Sequence, residues 1–585
     1  MAATTIKDLL YGDILHSPGY EVDFAFGTTY SLGLDTAVII PICLSSLGIP
    51  EGDLLTNQSR LLEAIRSTNR HLAIFYNNGQ MPIPVKNMPI YPLFDNSVFP
   101  ITQSGSFHPK MWVIREHSEE DVQIKFVILS RNLTFDNSLD VVVAMTGKLG
   151  PTPFGEQKHK PLADMMKYLA EKYAKNSDKY YGIISLANDL SYVERFETDD
   201  QFDDYSFYPL CPELGRGWNS IKDDIQGRSV FVISPFINDS GIDPLISRAW
   251  QNKSLITRAD FVTQHILDSF DEVFAVNEGM IDNEFGKIDL HAKMYFVNQR
   301  DGYNYLFVGS ANATPSAFNR NTEFLLRLRY KTYKKSFSQF REEFINSDNR
   351  FSRITSPAEN ASLFKEPTPE EIAFKQMLGS DIKAFVLPQG DSLYTVKVTF
   401  ADIPTELDVA LAPLQHKNKG QKVSSKGVTF TGLKTKELSE FFILSVGHRP
   451  SKVESIIKLP TEGIPDDRDK MIVQSIIDSK EKFIDYMSWK FAEDTEAYQL
   501  EYEQQMALMK NSPKKKGGIL YTNLYEEMLK SFYRNPESIN DVQEILGLVS
   551  EDVIPQGFQN LYDTFKSAQK TDSRGSKRFS TVYRQ

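Results

Sequence analysis

The chain is 585 residues long, 41% hydrophobic and 24% charged, an ordinary globular composition with length for three or four domains of ~150 residues each. Its formal net charge of −12 excludes a molecule that is basic as a whole, though not a local basic cleft, because binding answers to the local field. Two cysteines, Cys43 and Cys211, exclude a disulfide framework and a cysteine-based zinc site, and fit a reducing compartment.

The opening MAATTIKDLLYGD lacks the basic start and apolar core of a signal peptide. Residues 22–31 predict a buried strand that leads into the apolar run TAVIIPICLSSLGIP at 36–50, which is too short for a membrane span and contains prolines. A soluble cytoplasmic protein with no membrane association is expected. Further strands are predicted at 71–76, 106–114, 124–134 and 139–145, and a helix over PLADMMKYLAEKYAKN. The pattern then restarts, with a strand at 228–239, a helix at DPLISRAW, a strand at KSLITRADFV and strands at 289–297, 303–315 and 322–330. A repeat of this size predicts an α/β fold of two pseudo-symmetric lobes, 1–175 and 176–350, each a mixed sheet flanked by helices. Residues 351–375 read as a linker rich in Ser, Pro and Glu. SLYTVKVTF, LDVALAPL, GVTFTGL and FFILSVG alternate and predict a small β-rich domain at 376–462. From 463 to 585 the period is helical. Ile472, Ile476, Phe483 and Met487 mark one apolar face, and Leu524, Met528 and Phe532 another. NSPKKKGG reads as a basic loop, and the tail TDSRGSKRFSTVYRQ as basic and disordered.

The chemistry-bearing residues repeat in the same order. His108 and Lys110 in SFHPKM answer His291 and Lys293 in DLHAKM. Ser130 and Asn132 in LSRNLT answer Ser310 and Asn312 in GSANAT, and Asp140 answers Glu323. A histidine and a lysine two apart on a strand point to one face, and a buried lysine there needs a partner, so a polar site is expected. One such pair arises by chance in a chain with nine histidines; the same ordered set on two repeating lobes does not. His159 in EQKHKP reads as a surface-loop residue, and His416 as part of a solvated turn.

These motifs resemble the phospholipase D superfamily, whose members carry two HxK motifs on two similar lobes. The family's usual aspartate, seven residues after the histidine, is replaced here by Arg115 and Asn298. The His-Lys-Asn pattern instead resembles the tyrosyl-DNA phosphodiesterases and the metal-independent nucleases, over about residues 1–350. The resemblance implies a phosphodiester-cleaving site without metal or cofactor. Lys110, Lys293, Asn132 and Asn312 would clamp the phosphoryl oxygens. One histidine, His108 by chain order, would attack phosphorus and the other, His291, would serve as acid and base. Asp140 and Glu323 would fix the imidazole tautomers, one per lobe.

The expected function is therefore a nuclease acting on nucleic acid, DNA ahead of RNA, with a bacterial antiphage defence or restriction complex as its expected setting. A phospholipase acting on lipid head groups uses the same chemistry, and a non-catalytic nucleic-acid-binding subunit would keep the same fold. No G-x-x-x-x-G-K-[ST] motif occurs, so an ATPase would be a partner subunit; the apolar faces of the C-terminal helical region either dock such a subunit or pack on the β-rich domain.

Overall fold

The computed structural model of the chain describes residues 14–45, 58–134, 138–277 and 281–491, the last with breaks at 283–285, 288, 300, 332, 334, 347–349, 360–366, 391, 405 and 425. Beyond 491 it describes 524, 528, 530–531, 538–564 and 566–567. The basic segment NSPKKKGG, the tail from 571 and Phe532 lie outside the described residues.

The first lobe is built on β1 (Glu21–Thr29), β2 (Leu72–Asn77), β3 (Val98–Ile101), β4 (Met111–His117), β5 (Val122–Leu129) and β7 (Val142–Lys148), in the order β3-β2-β1-β4-β5-β7. β1, β2 and β3 run parallel, and β4, β5 and β7 continue antiparallel. These strands read as unbroken apolar runs because both faces are covered. Ala25, Ile74, Trp112 and Val127 point to one side, where they pack with Leu61, Leu62 and Ile65 of the helix Gln58–Thr68. Their neighbours Phe26, Phe75, Val113 and Phe126 point to the other, against Leu162 and Met166 of the helix Glu156–Leu169.

The second lobe repeats this wiring. β9 (Ser229–Ile233), β10 (Lys253–Thr257) and β11 (Glu272–Val276) run parallel, and β15 (Met294–Asn298), β16 (Asn304–Gly309) and β17 (Glu323–Tyr330) follow antiparallel. The sheet order is β18-β11-β10-β9-β15-β16-β17-β8, so the six central strands match the first lobe one for one. The edge strands β8 (Phe202–Leu210) and β18 (Phe351–Arg353) are additions. β18 falls in the stretch read as a linker, as does the start of the capped helix Pro369–Gly379. The lobes share one core: Phe126 packs on Phe207 and Phe324 at 4.9 and 5.9 Å between ring centres. A two-residue parallel ladder also crosses the seam, from β6 (Ser138–Leu139) to β14 (Asp289–Leu290). The remaining short pair, β12 (Ile281–Asp282) with β13 (Gly286–Lys287), precedes it.

Residues 382–462 form two four-stranded sheets. β19 (Ile382–Gly390), β20 (Leu393–Phe400), β23 (Val428–Lys434) and β26 (Thr461–Glu462) make one; β21 (Val409–Pro413), β22 (Gln421–Lys422), β24 (Phe441–Val446) and β25 (Val453–Lys458) make the other. They enclose a core that includes Val398, Phe430 and Leu444. Odd residues of β24, Phe441 and Ile443, turn away from that core and join the core of the first lobe.

The C-terminal helices differ from expectation. Ile472, Ile476, Phe483 and Met487 are buried at 0–2% exposure, in one cluster with Leu61, Leu62 and Ile65. Leu524 and Met528 join the same cluster. The stripe read as an open partner surface is spent on the first lobe, because a helix that shows an apolar face in sequence buries it against whatever the chain brings near. Among the described residues, no helix is long and apolar enough to cross a membrane.

Candidate active site

The two HxK motifs do not lie inside strands. β4 begins at Met111 and β15 at Met294, so each motif occupies the three residues before its strand. Pro109 has no N–H to give a ladder, and the neighbouring donors cross the seam instead. The His108 amide donates to Thr322 O at 2.8 Å, and the His291 and Ala292 amides donate to Leu139 O at 3.1 and 2.8 Å. Thr322 and Leu139 each precede a candidate acid. The main chain thus staples each histidine to the residue before the other lobe's carboxylate.

The acids are accordingly crossed. His108 Nδ1 lies 2.8 Å from Glu323 Oε2, and His291 Nδ1 lies 3.4 Å from Asp140 Oδ1, the second contact longer and poorly aligned. The serines of the S-x-N motifs brace these acids. Ser310 Oγ donates to Glu323 at 2.5 Å and accepts from the Phe324 amide at 3.0 Å. Ser130 Oγ contacts Asp140 at 3.0 Å and accepts from the Val141 amide at 2.9 Å. Each lobe therefore supplies a Ser–acid pair to the opposite lobe's imidazole, leaving both Nε2 atoms for other partners.

Lys110 and Lys293 are fully buried. Lys110 Nζ sits 2.9 Å from His108 Nε2 and donates to His108 O at 3.1 Å; Lys293 Nζ donates to His291 O at 2.6 Å. Burial, opposed by Glu323 and aided by Lys110 and Lys293, pulls the His108 pKa down to about 4. Burial and Lys293 also lower His291, against the pull of Asp140. Lys110 is pushed well below the usual lysine range by burial and then by Lys293. Asp140 feels burial most, yet His291 and the Ser138 hydroxyl hold it below the ordinary carboxylate value. Since each lobe's lysine acts on the other lobe's histidine, the two sets form one electrostatic unit.

Asn132 and Asn312 follow the bracing serines by two residues, at the same strand ends. Asn312 Oδ1 is buried and makes no hydrogen bond among the described residues. Two contributors escape motif reading. Asn321 donates to Glu323 at 3.2 Å while accepting from the Ser106 amide at 3.1 Å, so it clamps the acid to the loop before His108; its adjacency to Glu323 was the available signal. Tyr30, after β1, lies edge-on to His108 with 5.0 Å between ring centres. His159 is not on a surface loop. It is buried within the helix Glu156–Leu169 and bonded to Leu190 O and the Tyr205 hydroxyl at 2.9 and 2.8 Å. His416 pairs with Glu437 at 2.8 Å. Among the described residues, no three His, Cys, Asp or Glu side chains converge as a metal-ligand group.

No protein-family description and no curated protein match the chain. Solved structures do. Yeast tyrosyl-DNA phosphodiesterase is 12% identical over 56% of this chain and 86% of that chain, with a TM-score of 0.34. NucT from Helicobacter pylori is 16% identical over 26% of this chain and 99% of its own, at 0.21. Nuc from Salmonella typhimurium, a phospholipase D family member, is 14% identical over 26% and 99%, at 0.20. What the site can do follows from its own geometry.

Proposed function

We propose that the chain is a metal-independent phosphodiesterase that cleaves nucleic acid, DNA ahead of RNA, through a phosphohistidine on His108. The observation that carries this reading is the crossed pair of imidazoles, each with its Nδ1 on a carboxylate and a buried lysine beside it. The Glu323 contact selects the tautomer with the proton on Nδ1, and the low pKa keeps His108 neutral near pH 7, so its Nε2 lone pair can attack once Lys110 turns from it to a phosphoryl oxygen. The longer Asp140 contact leaves His291 the more adaptable partner.

In the first step the His108 Nε2–phosphorus bond forms as the bond to the leaving oxygen breaks, and His291 delivers its proton to that oxygen. The bound phosphodiester's negative charge favours the protonated His291 that this step needs. In the second step water attacks phosphorus, His291 takes a proton from it, and the phosphorus–nitrogen bond breaks. Lys110, Lys293, Asn132 and Asn312 hold the non-bridging oxygens throughout. The lysines supply the charge that two-metal nucleases draw from their ions. A bacterial defence or restriction complex is the proposed setting, with any ATPase supplied by a partner that docks elsewhere than on the buried 472–487 stripe.

The test is incubation with plasmid, single-stranded DNA, RNA and phosphatidylcholine vesicles, each in EDTA. Cleavage of DNA is expected. Release of lipid head group alone, or strict dependence on magnesium, contradicts the reading.

A further inference from the structure

The twofold repeat can be aligned residue by residue just after the strands β1 and β9, and there an aromatic residue on one side answers a proline on the other. The Thr29 hydroxyl donates to Ser31 O at 2.9 Å and accepts from the Leu133 amide at 3.1 Å. The Ser234 hydroxyl donates to Phe236 O at 2.8 Å and accepts from the Ala313 amide at 3.0 Å. Leu32 bridges Leu133 as Ile237 bridges Ala313. Thr29 thus matches Ser234, and Tyr30 matches Pro235. On the His108 side the position carries an aromatic ring, 5.0 Å from the imidazole at an interplanar angle of 64° and 5.8 Å from Lys110 Nζ. On the His291 side it carries a proline, and among the described residues His291 has no ring neighbour.

We propose that Tyr30 is a positioning residue that acts through His108: its ring fixes the imidazole plane and keeps water from that side, making His108 rather than His291 the covalent group. This rests on the phosphohistidine reading above. His108 is then held by Glu323 of β17 on Nδ1, touched by Lys110 of its own segment at Nε2 and flanked by the Tyr30 ring, within the field of Lys293 from the second lobe. Edge-on ring contacts favour one orientation over a freely turning imidazole. A nucleophile held in line gains rate from geometry alone, and a misplacement of about an ångström costs on the order of 100-fold. Water admitted beside the ring would hydrate the imidazolium and raise its proton affinity. Burial, with the charge of Glu323 added, raises the Tyr30 pKa, so the phenol remains neutral.

The experiment compares Tyr30→Leu and Tyr30→Phe with wild type, after thermal melts show each is folded. Histidine-ring NMR of the full chain follows the His108 titration without any substrate. Single-turnover reactions follow adduct formation and adduct hydrolysis separately. Tyr30→Leu is expected to raise the His108 midpoint and to slow adduct formation by about 10–100-fold, with hydrolysis little changed, while Tyr30→Phe keeps both at wild type. A Leu variant with wild-type midpoint and adduct rate overturns the proposal. So does a Phe variant as impaired as Leu, which would assign the role to the hydroxyl. If wild type forms no adduct but Leu still raises the midpoint, the ring positions the imidazole as proposed and the phosphohistidine reading alone fails.

Discussion

At the scale of residues, the site is a set of titrating groups whose order fixes a pH profile. In the proposed mechanism His108 must be neutral to attack, and burial pulls its pKa down to about 4. In the same mechanism His291 must carry a proton, and burial with Lys293 lowers its pKa below the ordinary histidine value. The free-enzyme profile in kcat/KM is therefore expected to fall on the acid side as His108 gains a proton, and on the alkaline side as His291 loses one, with the alkaline limb below about 6.5. Activity that keeps rising above about pH 7 contradicts this assignment. The crossed carboxylates predict a second, separable pattern. Glu323→Gln lies in the second lobe yet should act as a His108 defect, slowing adduct formation. Asp140→Asn lies in the first lobe yet should act as a His291 defect: it removes the charge that raises His291, moves the alkaline limb lower and lets adduct accumulate. Single-turnover gels on both variants check this, and effects confined to each residue's own lobe would refute the crossing. The recurrence of the His, Lys, Ser, Asn and acid positions in one order was legible, and the structure brings the His, Lys, Ser and acid side chains together. The crossing was not, because spacing along a chain says which strand carries an acid and not which lobe it faces. Tyr30 gave no signal beyond one aromatic after a strand.

At the scale of elements, the HxK motifs sit before β4 and β15, with their amides turned to the opposite lobe. The alternation of SFHPKMWVI and DLHAKMYFV was legible as strand, but the strand starts only where ladder partners exist, and Pro109 cannot provide one. β8 was not recognised because Asp203, Asp204 and Ser206 dilute it; Tyr205 and Phe207 alternating inward were the readable trace. The seam near Glu323 depends on close backbone approach. A Cβ on Gly105 would stand 1.9 Å from Arg320 O, beside the Asn321 that clamps Glu323 to the Ser106 amide. Gly105→Ala should force the two loops apart, cost about 1–3 kcal/mol and slow adduct formation through a loosened Glu323. Thermal melts and single-turnover rates report this, and a variant that matches wild type in both would show that the loops yield without consequence.

At the scale of the whole molecule, the two lobes, the β sandwich and the C-terminal helices are tied together through the first lobe. Asp95 of that lobe is buried, accepts from the Ser439 hydroxyl and the Glu440 amide at 3.1 and 3.2 Å, and pairs with Arg468. The helical periods at 472–487 were legible; their burial was not, since an apolar stripe names no partner. Removing residues 463–585 should therefore strip cover from Leu61, Leu62 and Ile65 and leave Asp95 without its cation, a loss of about 3–5 kcal/mol for a broken buried pair. The truncated chain is expected to aggregate in sedimentation analysis; a monodisperse, active truncation would mean the helices are dispensable. The central claim is that both lobes act on a single phosphate, with His108 as the covalent group. Its most direct measurement is intact-mass and peptide mapping of His291→Ala after reaction with a nitrophenyl phosphodiester in EDTA, since a good leaving group needs no acid but the adduct still needs a base to hydrolyse. A phosphoryl adduct that accumulates on His108 is the predicted result; an adduct on any other residue, or none while cleavage continues, contradicts it.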